Sequence, residues 1–313
     1  MFGLGGSGEV RGKVDVCVVG AGPAGMTAAV YAARKMLSVA VVTKDVGGQV
    51  SWTQGIENYM GFQFITGKEL VAKFEEQVRQ FPVAILTDEV VGMQVKGKDF
   101  VLATKGGRSI EARSVIVASG KRPRPLGVPN EGKLVGKGVS YCATCDGPFF
   151  RGMDVAVIGG GNSAVQAAVE MSRIASKVYV VSRSPWRADG IVADAANSIT
   201  NIEAKTRNVV VDILGKDRVE GLRIKEMTTG EVSDLKVQGV FLEIGLEPNT
   251  GFARGTLALN GYGEGMGDCE CRTNVKGVFA AGDVTQVRDK QIVVAAGEGA
   301  KAALSAYEYL TAP

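Results

Sequence analysis

The sequence contains no histidine among its 313 residues. Histidine is the commonest general base and the commonest zinc ligand in proteins. Proton transfer near neutral pH must therefore fall to carboxylates, thiols, lysine, tyrosine, the α-amino group or a bound cofactor. A structural zinc site would have to consist of thiolates alone.

Long apolar runs, a signal peptide and basic clusters are also missing. No apolar run reaches the roughly 18 residues that a membrane helix needs. The N-terminal stretch MFGLGGSGEVRGK has no apolar segment after a basic start, so we expect a short flexible lead-in and a cytoplasmic protein. The net charge is only +3, with lysine and arginine spread along the chain, which argues against binding to nucleic acid or to an anionic membrane.

The composition is typical of a folded chain of about two domains. Hydrophobic residues make up 45% of the sequence and charged residues 22%, so a packed core is expected. Glycine is abundant, with 43 residues, many of them clustered, which suggests close approaches of the backbone to ligands. The five cysteines are an odd number, which argues against a disulfide framework.

A first nucleotide-binding motif follows the apolar stretch VDVCVV at 14–19, which we predict to be a buried parallel strand. The next residues, GAGPAG, place Gly20, Gly22 and Gly25 between this strand and an alanine-rich helical pattern. That context is required of a dinucleotide fingerprint, in which the glycines let the pyrophosphate approach the helix N-terminus. A second apolar strand, SVAVVT, completes the unit.

The same pattern recurs at 154–183, DVAVIGGGNSAVQAAVEMSRIASKVYVVSR. Gly159, Gly161 and Ala164 form its fingerprint. Duplication of the unit predicts two nucleotides, and a flavin with a nicotinamide is the obvious pair, since together they move a hydride. The alternative is that one copy is vestigial.

The residues after the second strand of this repeat favour NADP over NAD. An acidic side chain there would bond the free ribose hydroxyls of NAD, but Ser182, Arg183 and, beyond a turn, Arg187 stand in its place. The alternative is that both arginines are merely solvated surface residues.

The stretch YCATCDGPFF contains the pair Cys142 and Cys145, followed at once by Asp146. Two thiols at this spacing can close a small disulfide ring, and a helix N-terminus can lower the pKa of one of them. Thiol–disulfide exchange also needs a proton source, which Asp146 is placed to supply. Capping of a helix N-terminus is an alternative role for Asp146, compatible with the first.

Two other roles for the cysteine pair are a zinc site and an inert buried thiol pair. Zinc would need Cys269 and Cys271 as further ligands, yet CxC is not the usual second half of such a site. We therefore predict redox chemistry and no metal. Cys17 is predicted to lie in the core, and Cys269 and Cys271 to be isolated thiols, with a strained secondary disulfide as the alternative.

Taken together, the motifs resemble those of the low-molecular-weight thioredoxin reductases over nearly the whole chain from about residue 14. The second half also resembles the reductase part of the alkyl hydroperoxide reductase flavoprotein. About a dozen residues precede the first strand, so we expect a free-standing carrier as partner. The matching segments, in order, are GAGPAG, GGQ, ENYMGF, CATCDG, GGGNSA, AAGDV and KQIVVAAGEGAKAALSAYEYL.

This resemblance implies an α/β fold with two Rossmann-like nucleotide-binding domains, the nicotinamide domain being inserted into the FAD domain. The FAD domain would comprise residues 1–120 and 246–313. The NAD(P)H domain, which carries the CxxC motif, would comprise residues 121–245. A homodimer is also implied.

The resemblance also implies the roles of individual residues. Cys145 would accept electrons from the flavin, and Cys142 would attack the disulfide of a thioredoxin- or glutaredoxin-like partner. The positions implied to bind FAD are Gly20, Gly22, Pro23, Ala24, Gly25, Gly48, Gln49, Asn58, Gly120, Gly282, Asp283, Lys290, Gln291 and Ile292. Those implied to bind NADPH are Gly159, Gly161, Asn162, Ser163, Ala164, Arg183 and Arg187.

The loop SRSPWRAD departs from the family pattern, which has two consecutive arginines after a histidine and a third further on. NADPH is the predicted electron donor, and NADH, reduced ferredoxin or a deazaflavin are the alternatives. A dithiol oxidase that passes electrons to oxygen would use the same cysteines. A non-catalytic flavin-binding or redox-sensing module is the alternative from a different class.

Overall fold

The structure, a computed structural model, describes residues 12–53 and 55–312. These residues form two compact units. The first contains the described parts of 1–51, 59–122 and 247–313, and the second contains those of 52–58 and 123–246. The N-terminal lead-in expected from the sequence lies almost wholly outside the described residues.

The first unit is built on a seven-stranded sheet accompanied by helices. Its strands are β1 (Val14–Ala21), β2 (Val39–Val46), β3 (Val83–Thr87), β4 (Val90–Lys96), β5 (Asp99–Thr104), β6 (Ser109–Val117) and β17 (Val278–Ala280). Its helices are α1 (Pro23–Arg34), α2 (Gly67–Val78) and α7 (Ile292–Thr311).

Strand β1 lies in the middle of this sheet, whose order is β3-β2-β1-β6-β5-β4 with β17 also beside β6. Strands β1, β2, β3, β6 and β17 pair in parallel, and β4 and β5 are antiparallel. Alternate side chains of β1 enter different cores: Val16 and Val18 pack towards α1, while Cys17 and Val19 pack on the opposite face. Burial on both faces explains why VDVCVV is almost continuously apolar.

Cys17 is fully buried, and burial raises the pKa of its thiol to about 12. This confirms the prediction that Cys17 is a core residue.

The second unit contains a five-stranded parallel sheet and a separate three-stranded antiparallel sheet. Its strands are β8 (Val139–Ser140), β9 (Asp154–Ile158), β10 (Lys177–Ser182), β11 (Ile202–Thr206), β12 (Asn208–Leu214), β13 (Gly221–Glu226), β14 (Val232–Leu235) and β15 (Gly239–Leu242). Its helices are α3 (Glu131–Leu134), α4 (Ala143–Asp146), α5 (Asn162–Ser172) and α6 (Gly190–Asn197).

Strand β9 is central in the parallel sheet, whose order is β11-β10-β9-β15-β8. Val155 and Val157 share a core with helix α5, whereas Ala156 and Ile158 share a core with the antiparallel sheet β12-β13-β14. The predicted α/β class is confirmed, because each unit contains a strand, glycine turn, helix and parallel strand in that order. The carboxyl ends of the parallel strands therefore carry both glycine turns.

Two short strands, β7 (Lys121–Pro123) and β16 (Leu246–Pro248), pair with each other where the chain passes between the units. The grouping of residues 52–58 with the second unit was not anticipated from the sequence. Within the described part of the chain, no helix combines the length and the apolar character needed to cross a membrane.

Candidate functional site

Cys142 and Cys145 form a disulfide at the start of the short helix α4, with their Cα atoms 5.3 Å apart. Cys142 is the N-cap residue, and its Sγ accepts a hydrogen bond from the Cys145 N–H at 3.1 Å. Both residues are only partly buried. A bonded pair offers no thiolate to zinc, and among residues 12–53 and 55–312 no three His, Cys, Asp or Glu side chains gather as a metal site.

Asp146 ends the same helix. The Ser140 hydroxyl donates to its Oδ2 at 2.5 Å, while its Oδ1 is buried and has no hydrogen-bond partner in the described chain. Burial raises the pKa of Asp146, and the Ser140 hydrogen bond opposes this shift. Asp146 stands at the N-cap position of the 3-10 helix Gly147–Phe150, but its carboxyl makes no capping hydrogen bond there. A carboxyl with a raised pKa keeps its proton to higher pH than an exposed aspartate does, so it can act as a proton donor.

A second carboxyl of this unit with a shifted pKa, that of Glu243, was not predicted from the sequence. Burial raises the pKa of Glu243 to about 7; the neighbouring Ala143 N–H opposes the shift, and the charge of Glu170 adds to it. The only signal in the sequence is an acidic residue directly after the apolar run GVFL, too weak to indicate a site by itself.

The first glycine turn has the shape of a cradle for a phosphate. A Cβ on Gly20, where φ is +105°, would lie 2.8 Å from the carbonyl carbon of Ala118, and one on Gly25 would lie 2.9 Å from that of Gly20. Gly22 caps helix α1 without a side-chain hydrogen bond, and a Cβ there would meet nothing within 4 Å. The turn therefore leaves the N-terminus of α1 open to an anion, as a dinucleotide pyrophosphate requires.

Other predicted FAD positions of the first unit gather around this turn. A Cβ on Gly282, where φ is +78°, would lie 2.9 Å from the Cβ of Ala24, so the loop carrying Asp283 contacts helix α1. A Cβ on Gly48 would lie 3.9 Å from the Cα of Gly22. The Gln49 amide reaches Asp283 Oδ2 at 3.5 Å, the outer limit of a hydrogen bond.

The remaining predicted FAD positions lie in three places. Gln291 is the N-cap residue of α7, which begins at Ile292 and has no side-chain cap. Gly120, with φ +64°, accepts a hydrogen bond from the Asn249 N–H at 3.0 Å. Asn58 is exposed and belongs to the segment grouped with the second unit.

A buried cluster of three charges lies beside Asp283 in the first unit. Lys121 and Lys290 both contact Glu264 Oε1, the second at 3.2 Å, and the three side chains are 9%, 18% and 12% exposed. Lys290 also donates to the Thr285 carbonyl at 2.6 Å. Sequence analysis gave Lys121 and Glu264 no role.

The charges in this cluster influence one another. Burial and the neighbouring Lys121 lower the pKa of Lys290, although Glu264 opposes the shift. Burial raises the pKa of Asp283, and the two lysines oppose that. Glu264 has a lowered pKa because its hydrogen bonds and the two lysines outweigh burial, so it stays ionised.

The second glycine turn repeats the geometry of the first. A Cβ on Gly159, where φ is +146°, would lie 2.5 Å from the Glu243 carbonyl oxygen and 2.8 Å from the Ala164 Cβ. Gly161 caps helix α5 without a side-chain hydrogen bond, and a Cβ there would meet nothing within 4 Å. Asn162 and Ser163, at the open end of α5, are exposed.

The loop after β10 folds back onto this turn. The Arg187 N–H donates to the Gly160 carbonyl at 2.6 Å, and Asn162 and Asp189 exchange two hydrogen bonds, of 2.8 and 3.0 Å. The guanidinium groups of Arg183 and Arg187 are exposed, and neither is paired with a carboxylate of the described residues. The structure thus brings the predicted NADPH positions of the second unit together.

Cys269 and Cys271 are both free thiols, the first exposed and the second buried. Cys271 has φ +65°, so the two residues do not form an extended pair. Burial raises the pKa of Cys271 to about 11. The expectation of isolated thiols is confirmed.

Comparison with known proteins agrees with this geometry. A family model described as pyridine nucleotide-disulphide oxidoreductase matches residues 14–299. The fold is similar to thioredoxin reductase from Streptococcus pyogenes, at 40% identity and TM-score 0.92, covering 96% of this chain and 99% of that one. It is also similar to thioredoxin reductase from Giardia duodenalis, at 31% identity and TM-score 0.90, with the same shares covered.

Two curated relatives are alkyl hydroperoxide reductase subunits F. The one from Staphylococcus aureus is 40% identical over 96% of this chain and 60% of its own length. The one from Pseudomonas putida is 43% identical over 95% of this chain and 58% of its own length. The chain thus spans about three fifths of the length of these relatives.

The comparisons confirm the resemblance predicted from the motifs, and with it an enzyme of an oxidoreductase family. The domain boundaries and the role of each site residue stay predictions. The chain belongs to the pyridine nucleotide-disulphide oxidoreductase family.

Proposed function

We propose that the chain is a reductase of protein disulfides, in which electrons pass from NADPH to FAD, then to Cys142 and Cys145, and finally to a thioredoxin-like partner. The observation that supports this most directly is the Cys142–Cys145 disulfide beside the buried carboxyl of Asp146. A disulfide between residues only three apart closes too small a loop to contribute much stability. Its role is therefore to be reduced to the dithiol and oxidised again in each catalytic cycle.

We assign FAD to the first unit and NADPH to the second. The open N-terminus of α1 at Gly22, with Asp283 and Lys290 beside it, suits the flavin dinucleotide. The open N-terminus of α5 at Gly161, with its arginine loop, suits the nicotinamide dinucleotide. Bound FAD would supply a two-electron carrier between the nicotinamide and the disulfide.

The cysteines and Asp146 complete the transfer to the partner. Reduction adds two electrons and two protons to the disulfide and gives two thiols. Ionised Cys142 attacks one sulfur of the partner disulfide, the partner's S–S bond breaks, and the leaving thiolate takes a proton from Asp146. Cys145 then gives its proton to Asp146 and attacks Cys142, which restores the internal disulfide and releases the partner's second thiolate. The partner has gained the two electrons that the pair has lost.

The preference for NADPH rests on Arg183 and Arg187. Both guanidinium groups are exposed and free of carboxylate partners in the described chain, on a loop anchored to the Gly160 carbonyl. A 2′-phosphate is the group that such a pair of cations would recognise.

The partner is a protein of the thioredoxin or peroxiredoxin class. Within it we favour a free-standing thioredoxin- or glutaredoxin-like carrier. The predicted homodimer and cytoplasmic location stay predictions, and sedimentation of the purified protein tests the first.

An anaerobic experiment tests the proposal. NADPH, NADH and reduced ferredoxin are added in turn to the flavin-loaded protein, and loss of flavin absorbance is followed. An oxidised thioredoxin is then added and its new thiols are counted. We expect NADPH to bleach the flavin and thiols to form. Bleaching without thiols would leave only a flavin-binding or sensing module, and thiols formed with another donor alone would refute the assignment of NADPH.

A further inference from the structure

Glu298 lies on helix α7, where this helix contacts the N-terminal turn of α1. The next residue, Gly299, makes that contact: a Cβ on it would lie 2.1 Å from the Ala24 carbonyl oxygen. Both helices belong to the first unit, and Ala24 lies in the first turn of α1, beside the open N-terminus that we assign to FAD. A contact that requires glycine thus holds α7 close to the phosphate-binding end of α1.

The Glu298 side chain holds the turn that carries Asp283. Its Oε2 accepts a hydrogen bond from the Gly282 N–H at 2.7 Å. The preceding N–H, that of Ala281, still donates to the Val117 carbonyl of β6 at 2.9 Å. The Gly282 N–H lies beyond this strand pairing and needs another partner, which the carboxylate on α7 supplies.

The turn Gly282–Val284 is a single 3-10 turn without a side-chain cap. It is closed by the N–H and the hydroxyl of Thr285, which both donate to the Gly282 carbonyl at 2.9 Å. On its far side the Val284 carbonyl accepts the Gly265 N–H at 2.9 Å. Asp283 therefore stands between two attachments of the turn, one to α7 through Glu298 and one to the neighbouring loop.

The attachment to α7 also sets the distance between the turn and α1. Gly282 has φ +78°, and a Cβ on it would lie 2.9 Å from the Ala24 Cβ and 3.4 Å from the Ala295 Cβ. Little room is left between the turn and the two helices. A turn released from Glu298 would move Asp283 relative to the N-terminus of α1.

We propose that Glu298 is a positioning residue for FAD: its carboxylate holds the Gly282–Val284 turn against α7 and so keeps Asp283 beside the N-terminus of α1. This inference rests on the proposed function, which assigns FAD to the first unit. Without the Glu298 bond the turn adopts other arrangements, and the dissociation constant of FAD rises by the factor by which the binding-competent fraction falls. For one hydrogen bond to a charged acceptor that factor is about 10 to 100.

The test measures the dissociation constant of FAD in the full chain, from the fluorescence of flavin released when the flavin-loaded protein is diluted. Glu298→Leu keeps a side chain of similar size that favours a helix, but it removes the acceptor. We expect this variant to bind FAD about 10- to 100-fold more weakly than the wild type. Wild-type affinity in Glu298→Leu would overturn the proposal.

Glu298→Gln provides the conservative comparison. It keeps an oxygen for the Gly282 N–H, although a neutral acceptor forms a weaker hydrogen bond than a charged one, so its FAD affinity should lie within about fivefold of the wild type. A purely stabilising role of Glu298 predicts a different pattern, with fewer folded molecules of Glu298→Leu but an unchanged FAD dissociation constant in those that fold. That pattern would refute a positioning role.

Two further variants separate reach from charge and from general damage to the helix. Glu298→Asp keeps the charge but is one methylene shorter, so we expect it to bind FAD as weakly as Glu298→Leu; wild-type affinity here would overturn the proposal even if the Leu variant did not fold. Glu308→Leu makes the same change at an exposed position of α7, where Glu308 pairs with Arg272. It should leave FAD affinity unchanged, and an equal loss there would show that the Gly282 bond is not the cause.

The same measurements distinguish this inference from the proposed function. A wild-type chain that binds no FAD would refute both. The expected order of FAD affinities in a protein that reduces no disulfide would refute the proposed function and leave this inference standing. Equal FAD affinity of all variants in an active reductase would refute this inference alone.

Discussion

The Ser140 hydroxyl holds one oxygen of the Asp146 carboxyl at 2.5 Å and leaves the other buried and without a partner in the described chain. Burial raises the pKa of this carboxyl, so it retains a proton to higher pH than an exposed aspartate does. The free oxygen lies in the same helix as the disulfide. This combination suits a group that protonates a leaving thiolate.

Replacing Asp146 by Asn should therefore slow disulfide turnover by about 10²–10⁴-fold, the usual effect of losing a general acid. FAD content should not change, because Asp146 is not among the predicted flavin positions. The control Ser140→Ala removes the hydrogen bond to Asp146 and the two bonds of the same hydroxyl to the Cys142 backbone, but it keeps the carboxyl and should cost much less. Unchanged turnover in Asp146→Asn would exclude the proton-transfer role, and loss of FAD would mean a structural one.

Replacing Cys142 or Cys145 by Ser should leave FAD bound and abolish disulfide reduction, since each sulfur is needed for one exchange step. The free thiols offer a matched control: Cys269→Ser should reduce disulfides at nearly the wild-type rate. Turnover with a thioredoxin disulfide and flavin absorbance are measured on the same samples. Substantial activity in either redox-pair variant would refute the assignment of electron relay to this pair.

Arg183→Ala should raise the Michaelis constant for NADPH and leave that for NADH nearly unchanged. One charge-assisted hydrogen bond to the 2′-phosphate contributes about 1.5–3 kcal/mol, which is roughly a 10- to 150-fold change. Arg173→Ala removes an exposed arginine at the end of α5 and serves as the control. Equal effects on both nucleotides, or equal use of both by the wild type, would contradict a phosphate-binding role.

Local motifs made much of this molecule predictable. Each glycine turn and the CxxC pair occupy short, contiguous stretches, and their spacing alone indicates strand, turn and helix. Even there, the strand ends were less certain: β1 continues through Gly20 and Ala21, which the sequence suggested were already part of the turn. The parallel pairing of β1 and β2 extends into that region and sets the observed end.

Contacts between distant residues were not predictable. Lys121 and Glu264 are 143 positions apart, and Glu243 lies against the Gly159 turn only because β15 pairs with β9 in the sheet. A single acidic residue after an apolar strand carries no periodic or spacing signal. Tertiary packing brings such partners together, and no short segment of the sequence indicates which distant residues will meet.

The buried charge cluster should make Glu264 more important than either lysine for the integrity of the first unit. Glu264→Gln leaves Lys121 and Lys290 facing each other without a carboxylate, and loss of one partner of a buried ion pair costs about 3–5 kcal/mol. Lys121→Met leaves Lys290 paired with Glu264 and should cost less. Urea unfolding and retained FAD are the measurements.

An exposed carboxylate is the reference for this comparison. Glu89 is 37% exposed and pairs with two exposed lysines, Lys44 at 3.1 Å and Lys105 at 3.8 Å, so Glu89→Gln should cost only about 1 kcal/mol. If Glu264→Gln were as mild as Glu89→Gln and kept its FAD, the cluster would have no stabilising role. If Lys121→Met were the more damaging change, the central role of Glu264 would be wrong.

The raised pKa of Glu243 predicts a pH-dependent contribution to stability. Its pKa is about 7 in the folded protein against 4.5 for the exposed group, so between these values the folded state binds more protons than the unfolded state. The free energy of unfolding must then fall as pH rises from about 4.5 to about 7. At 1.36 kcal/mol per pKa unit, the loss is at most about 3 kcal/mol.

Glu243→Gln does not titrate, so the variant and wild type should be similar near pH 5, and the variant should be the more stable at pH 8. Urea midpoints of both proteins at pH 5, 6, 7 and 8 measure this, and other carboxyls cancel in the difference. A difference that stayed constant over this range would show that Glu243 is ionised throughout and does not switch near neutral pH.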